Sequence, residues 1–457
     1  MKFQNPDDTI CAISTAQGVG AIAVIRLSGK KTFDIIYQIF SKNPHDLSTH
    51  TAHFGTIKKD DQILDEVVVT IFKNPHSFTG EDIAEIACHG STFIQSEILQ
   101  LLIDKGARLA GAGEFSLRAF LNGKMDLSQT EAIADLIAST SAAAHKVAMN
   151  QMRGGFSSEI SELRQELMNF ASLIELELDF SQEDVEFADR TQLVELLSKI
   201  KKRLTSLVDS FKYGNVIKNG VPVAIIGAPN AGKSTLLNKL LNEDRAIVSE
   251  VAGTTRDVIE DTITIEGIEF RFIDTAGIRD TKDLIESEGI RKAFDKIKTA
   301  SIILLMFDLE GFKDQEIIDQ ISMFEKNSVR EDQELICLFN KSDKVKVEDR
   351  VNLKDVGLFI SARNGEEINQ LKNVLVDRVK LTNNESNSVV TNVRHYEILN
   401  RCLNGIDKVE EDLNNDIPGD LLAMDIRDVL NNLGEITGEV TSDDLLGNIF
   451  ANFCIGK

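Results

Sequence analysis

Gly227-Ala-Pro-Asn-Ala-Gly232-Lys233-Ser234 follows the apolar run Val223 to Ile226 and precedes a stretch in which Leu236, Leu237, Leu240 and Leu241 recur at helical spacing. The octapeptide has the form G-x-x-x-x-G-K-[ST], and a strand before it with a helix after it is the setting in which that pattern cradles phosphate. Glycines let the backbone wrap an anion with its N–H groups, and the helix N-terminus adds the positive end of its dipole. Lys233 brings a point charge to the outer phosphates and Ser234 offers a hydroxyl to Mg²⁺. The candidate contacts here are Asn230, Ala231, Gly232, Lys233, Ser234 and Thr235.

Outward from this loop, strand-like runs alternate with helical patterns: Ile268 to Ile273, Ile302 to Phe307, Leu335 to Phe339 and Leu358 to Ile360. That order predicts a doubly wound α/β domain. Asn340-Lys341-Ser342-Asp343 ends the Leu335 strand, and its carboxylate selects the base. Asp343 accepts two N–H donors from the Watson–Crick edge of guanine, whereas adenine sets an acceptor against the charge. Ser361, Ala362 and Arg363 end the next strand and offer a backbone N–H to the guanine oxygen.

Asp274, Thr275, Ala276 and Gly277 close the Ile268 strand, where Asp274 reaches Mg²⁺ through water and the Gly277 N–H senses the γ-phosphate. Upstream, Gly253, Thr254 and Thr255 precede Arg256 and Asp257, with Thr255 the second protein hydroxyl for Mg²⁺. Ile278 stands where many GTPases carry a Gln that orients the attacking water, so hydrolysis needs another arrangement. Two features offer one. The Asn230 amide oxygen suits a monovalent cation beside the phosphates, and an acidic cluster contains Glu286 and Glu288. By spacing alone, Glu286 reads rather as a solvated helix charge than as a catalytic group.

The flanks have a different character. Gly20 to Leu27, Glu66 to Phe72 and Ile83 to Cys88 are β-rich, and Phe93 to Asp104 is amphipathic, which predicts a small N-terminal α/β domain. From Ser128 to about Phe211 the pattern is helical, with stripes at Leu163, Leu167, Phe170, Ile174, Leu178 and at Val194, Leu197, Ile200, Leu204, Leu207. The period changes at Asn219-Gly220; helical spacing resumes near Ile368 and continues from Val393, broken at Pro418-Gly419. An α/β domain inserted into a helical one is expected, and 457 residues accommodate three domains.

Composition bounds the function. A net charge of −23 opposes non-specific adhesion to nucleic acid, so any RNA contact is local or borrowed from a partner. No apolar run is long enough to cross a membrane and no secretory signal opens the chain, which predicts a cytoplasmic protein without membrane contact. The five cysteines are scattered without a C-x-x-C pair, so reduced thiols are expected.

These stretches together resemble the tRNA-modification GTPases called MnmE or TrmE. The likeness rests on Asp8-Thr-Ile, Gly18-Val-Gly20, Arg26-Leu-Ser-Gly29, Ser77-Phe-Thr-Gly-Glu-Asp82, His89-Gly90, Gly113-Glu-Phe-Ser116, Arg118-Ala-Phe-Leu-Asn122, Lys124-Met-Asp-Leu127 and Glu131 to Leu136. The nucleotide motifs and the closing Phe453-Cys-Ile-Gly-Lys457 complete it. The resemblance implies three parts: an N-terminal α/β domain over 1–121 like tetrahydrofolate-binding domains, an all-α helical domain over 122–217 plus 379–457, and an inserted P-loop G domain over 218–378. It implies a homodimer, and K⁺ held by Asn230, Ser249, Val251 and Thr254. Glu250 and Ala252 complete the nucleotide set; Mg²⁺ falls to Ser234 and Thr255. The catalytic set becomes Glu286, as helper of the general base, with Asn230 and Lys233.

A 5-formyl- or 5,10-methylene-tetrahydrofolate site would comprise Arg26, Glu85, Lys124 and Lys457, which by spacing alone are ordinary surface charges. Cys454 falls where the family keeps a functional thiol, although its apolar neighbours also suit a packed side chain. The function implied is GTP hydrolysis coupled, with an MnmG-like FAD protein in a heterotetramer or larger complex, to aminomethyl or carboxymethylaminomethyl addition at carbon 5 of the wobble uridine of certain tRNAs. A GTP-switched ribosome or RNA assembly factor is the alternative, equally compatible with the nucleotide motifs but giving the chain ends no purpose.

Overall fold

The computed structural model describes residues 8–179, 190–243, 261–273, 298–330, 333–346, 351–380, 389–415 and 417–451, with 453 and 456. The chain divides into two compact units: Met1–Ile137, Met149–Leu196 and Gly405–Lys457 in one, Ala138–Ala148 and Leu197–Asn404 in the other.

The first unit opens on a sheet of β1 (Ile10–Ile13), β2 (Ile22–Ser28), β3 (Thr51–Lys59), β4 (Gln62–Phe72), β5 (Ile83–His89) and β6 (Arg108–Leu109). Its order is β3-β4-β5-β2-β1-β6, antiparallel except at the β1–β6 edge. Side chains alternate between sheet faces with period two. Ala23, Ile25 and Leu27 of β2 and Ala84, Ile86 and Cys88 of β5 therefore share one core with α1 (Thr32–Tyr37) and α2 (Thr92–Asp104), through Ile35, Ile36, Ile98 and Leu102. Arg26 and Glu85 take the opposite face, directly across from each other in the register. Burial pushes the thiols of Cys11 and Cys88 up to about 12 and about 11, and that of Cys337 in the other unit to about 12. Thiols so far from ionisation pack as small apolar side chains rather than act as nucleophiles.

Helices α3 (Glu114–Leu121), α4 (Leu127–Ala138), α5 (Ala142–Met152), α6 (Gly155–Asp179) and α7 (Arg190–Asn219) follow. Leu163, Leu167, Phe170 and Ile174 form the buried stripe of α6 that their spacing predicts. On α7 the stripe starts at Leu193, which is fully buried, and not at Val194, which is 49% exposed. Leu193 continues the four-and-three spacing of Leu197, Ile200, Leu204 and Leu207, whereas Val194 lies 100° round the helix.

The second unit holds β7 (Val221–Gly227), α8 (Lys233–Glu243), β8 (Asp261–Ile265), β9 (Ile268–Phe272), β10 (Ile302–Asp308), α9 (Asp314–Ser328), β11 (Glu334–Asn340), β12 (Leu358–Ile360) and α10 (Ile368–Lys380). Its sheet order is β12-β11-β10-β7-β9-β8, parallel except for the β8–β9 hairpin. Burial of six consecutive residues along β10 reflects helices on both faces. Leu236, Leu240, Leu371 and Leu375 of α8 and α10 close one side, and Ile317 and Ile321 of α9 close the other. This is the doubly wound arrangement that the alternating pattern predicts.

The chain ends in α11 (Val393–Asn414), α12 (Gly419–Thr437) and α13 (Asp443–Ala451), with Pro418 at the break. In the first unit α12 runs along α6, where Arg164 pairs with Glu439 at 2.6 Å and Arg427 with Glu175 at 2.6 Å. Leu446 and Phe450 of α13 pack on Leu117 of α3. Beyond them Gly456 (φ +95°) lies so close to β1 that a Cβ there would sit 2.3 Å from the Ile13 carbonyl oxygen. The Ser14 hydroxyl donates to the Gly456 carbonyl at 3.1 Å. Among the described residues no helix is long and apolar enough to cross a membrane.

Candidate nucleotide-binding site

Parallel strands in register end together, and here they bring the predicted loops to one edge of the sheet. Met306 of β10 aligns with Gly227, Asp308 with Asn340, and Asn340 with Ile360. The stretches 228–232, 341–344 and 361–364 all leave the sheet at its carboxyl end, where open α/β sheets bind ligands.

Asn340 ties the three together. Its Nδ2 donates to the Ala231 carbonyl at 2.6 Å, and its Oδ1 accepts from the Ala362 N–H at 3.0 Å. The side chain is 4% exposed, so these bonds form where water cannot replace them. Gly232 makes the approach possible: φ is +100°, and a Cβ would lie 2.2 Å from Asn340 Nδ2.

Within the loop Asn230 adopts the left-handed conformation (φ +64°), which Asn tolerates better than most residues and which helps aim successive backbone N–H groups into one concavity. Lys233 Nζ donates to the carbonyls of Gly227 at 2.8 Å and Ala228 at 2.9 Å, so its charge arches back over the loop. Ser234 and Thr235 occupy the first turn of α8. Asp343 is exposed, and its Oδ1 accepts from the Ser361 hydroxyl at 2.7 Å, which turns the carboxylate without consuming both oxygens. Arg363 is exposed at the end of the same loop.

Ser249, Glu250, Val251, Ala252, Gly253, Thr254, Thr255, Asp274, Thr275, Ala276, Gly277, Glu286, Cys454 and Lys457 lie outside the described residues.

A second constellation sits on the outer face of the first unit's sheet. Arg26 Nε and Nη2 donate to Glu85 Oε1 at 2.9 and 2.7 Å. The guanidinium lies 5.4 Å from the centre of the Phe78 ring and 5.7 Å from that of Phe115. Lys124 Nζ donates to the Pro75 carbonyl at 3.0 Å, at the head of the loop that carries Phe78. Beneath it Arg118, 5% exposed, bonds Glu81, Glu114 and the Asp8 carbonyl, and Ser28 donates to Glu81 at 2.6 Å. The two rings were not among the candidates by sequence, although both lie in quoted stretches, Ser77 to Asp82 and Gly113 to Ser116.

A phosphate-loop sequence, the carboxylate of an N-K-x-D stretch and an Asn that bonds the neighbouring loops at the carboxyl edge of a doubly wound sheet mark a P-loop protein of the GTPase class. Known proteins agree. A family model described as the MnmE helical domain matches residues 127–454, and another, the GTP-binding protein TrmE N-terminus, matches 9–124. A tRNA modification GTPase MnmE of Flavobacterium psychrophilum is 55% identical over 98% of this chain and 99% of its own. Its namesake in Cytophaga hutchinsonii is 53% identical over 99% of this chain and 98% of its own, and that of Bacteroides thetaiotaomicron 52% over 98% and 99%. The chain belongs to the MnmE family of tRNA modification GTPases.

Proposed function

We propose that this chain, a GTPase of tRNA modification, works in the cytoplasm as a homodimer with an MnmG-like flavoprotein, in a heterotetramer or larger complex. Together they add an aminomethyl or carboxymethylaminomethyl group to carbon 5 of the wobble uridine of certain tRNAs, taking carbon from a methylenetetrahydrofolate. The division of labour is an N-terminal folate-binding and dimerising part over 1–121, a helical part over 122–217 and 379–457, and the G domain over 218–378. The observation that carries the nucleotide half is the Asn340 clamp, which makes phosphate loop and base loop one rigid object. The flavoprotein supplies basic surface that a chain of net charge −23 lacks.

In the nucleotide site Lys233 and the loop N–H groups hold the phosphates, Asp343 holds the base, and Ser234 with Thr255 would hold Mg²⁺. When bound, that ion would supply positive charge against the phosphates. K⁺ would rest on Asn230, Ser249, Val251 and Thr254, with Glu286 helping to orient water. Asn230 suits this role because it offers an amide oxygen from an exposed position within the phosphate loop. If so, replacing KCl by NaCl at equal ionic strength lowers kcat on the order of tenfold or more. Equal rates in the two salts would remove the cation from the account.

For the folate site, Arg26 and Glu85 present donors and an acceptor side by side on an outer sheet face. That mixture fits an anionic glutamate tail and the amide edge of a pterin. Lys124 and Lys457 would complete it. Gly456 stacked on Ile13 and Ser14 supports this reading, since β1 is the strand beside Arg26.

Nucleoside analysis of tRNA from cells lacking the protein tests the whole. The modified wobble uridine is expected to disappear. Normal wobble uridines with accumulating ribosomal precursors would instead favour an assembly factor.

A further inference from the structure

At the rim of the base loop the motif lysine meets three charges that the motifs do not explain. Lys341, the lysine of N-K-x-D, has its ammonium hydrogen-bonded to the Asp308 carboxylate and 3.2 Å from Glu310 Oε2. Lys344 donates to the same Glu310 oxygen at 2.9 Å.

The sheet delivers Asp308 there. It is the last residue of β10 and stands opposite Asn340 in the parallel register, so its side chain arrives beside the next residue, Lys341. The turn that follows fixes the carboxylate: Asp308 Oδ1 accepts from the Glu310 N–H at 3.0 Å, which leaves Oδ2 for the lysine. Lys341 has a left-handed backbone (φ +68°), a conformation that narrows where its side chain points. Asp308 is 20% exposed and Lys341 25%, so the pair is sheltered but hydrated at its edge. The bond to Asp308 is the first cause of the raised pKa of Lys341.

We propose that Asp308 is a positioning residue of the guanine site, acting through Lys341: it anchors the ammonium so that the lysine stem lies along the wall of the base pocket. Glu310, shared by Lys341 and Lys344, fastens the loop after β10 to the loop after β11. The inference rests on the assignment of Lys341 to the base site. It gives the Asp308 carboxylate a role in guanine-nucleotide affinity and none in bond cleavage.

Equilibrium binding of fluorescent GDP and GTP turnover by the full chain test it, in Asp308→Ala, Lys341→Ala and the double variant. Asp308→Ala is expected to raise the Kd for GDP and the KM for GTP about tenfold, the scale of one charge-assisted hydrogen bond, with kcat at saturating GTP within about twofold. Because Asp308 acts through Lys341, the double variant binds no more weakly than Lys341→Ala alone, and Asp308→Glu recovers part of the loss. An unchanged Kd for Asp308→Ala, full additivity in the double variant, or a fall in kcat at constant KM would each overturn the proposal. Unchanged binding by Lys341→Ala would instead overturn the assignment of Lys341 on which it rests. Should Asp308→Ala fail to fold, Glu310→Gln, in an exposed turn, is expected to raise KM severalfold, and an unchanged KM there counts against the proposal.

Discussion

Replacing Gly232 with alanine is expected to lower guanine-nucleotide affinity at least about a hundredfold and to remove measurable GTP turnover. The new Cβ would stand 2.2 Å from Asn340 Nδ2, on a backbone whose φ of +100° disfavours any side chain. The loop cannot retreat, because α8 begins at the next residue. Asn340 must swing away, and it then loses the Ala231 carbonyl and the Ala362 N–H together. A buried polar group left without its partner costs about 1–3 kcal/mol, and two such groups come to about 2–6 kcal/mol, a range centred above the roughly 2.7 kcal/mol that a hundredfold represents. Calorimetric titration with GDP reads the loss directly. The double variant Gly232→Ala/Asn340→Ala relieves the collision but not the broken clamp, so its affinity should stay low. Recovery to wild-type affinity in the double variant would mean that the clamp adds nothing to binding, and a near-normal Kd in Gly232→Ala would mean that the loop adapts freely.

The clamp also shows where the sequence is legible. The phosphate loop could be read because everything that defines it is local: an apolar run, glycines at fixed offsets and a helical stripe within about twenty residues. The strands β7, β10, β11 and β12 could be read for the same reason, being short apolar runs, and β9 because Ile268, Phe270 and Phe272 alternate with polar residues at period two. Strands β3, β6 and β8 escaped because their apolar content is thin, and β1 because its apolar run is only four residues long. Of the nine residues of β3 only Gly55 and Ile57 are buried, and β3 exists because it pairs with β4 through a tight turn. That turn was visible in principle: Asp60 and Asp61 both take positive φ, as a two-residue hairpin demands, and Glu266-Gly267 does the same between β8 and β9. The side-chain partnerships were harder still. Arg26 meets Glu85 across 59 residues and Asp308 meets Lys341 across 33, and in both cases strand register, not spacing, makes the neighbour. The resemblance could name Arg26 and Glu85, but it did not supply the rings of Phe78 and Phe115 that hold the guanidinium.

Those rings bear on the second large effect, which rests on the folate proposal. Arg26→Ala is expected to weaken binding of 5-formyl-tetrahydrofolate about tenfold to a hundredfold while leaving the fold intact. The affinity loss follows from the partner left behind: an anionic group that has lost its charge-assisted bonds forfeits about 1.5–3 kcal/mol. The fold survives because Glu85 is 27% exposed and can be hydrated when its partner goes, unlike the acids around Arg118, which is itself 5% exposed. Arg26→Lys separates charge from shape. Lysine keeps the positive charge but neither donates through two nitrogens to Glu85 nor sets a planar cation near both rings, so binding should recover only in part. Phe78→Leu, which keeps the arginine and removes one ring face, should cost less than Arg26→Ala, since a sheltered cation–π contact contributes about 0.5–2 kcal/mol. Fluorescence or calorimetric titration of the folded variants, checked by an unchanged thermal transition, gives the order directly. Wild-type affinity in folded Arg26→Ala would place the one-carbon donor elsewhere, and full recovery in Arg26→Lys would show that only the charge is recognised.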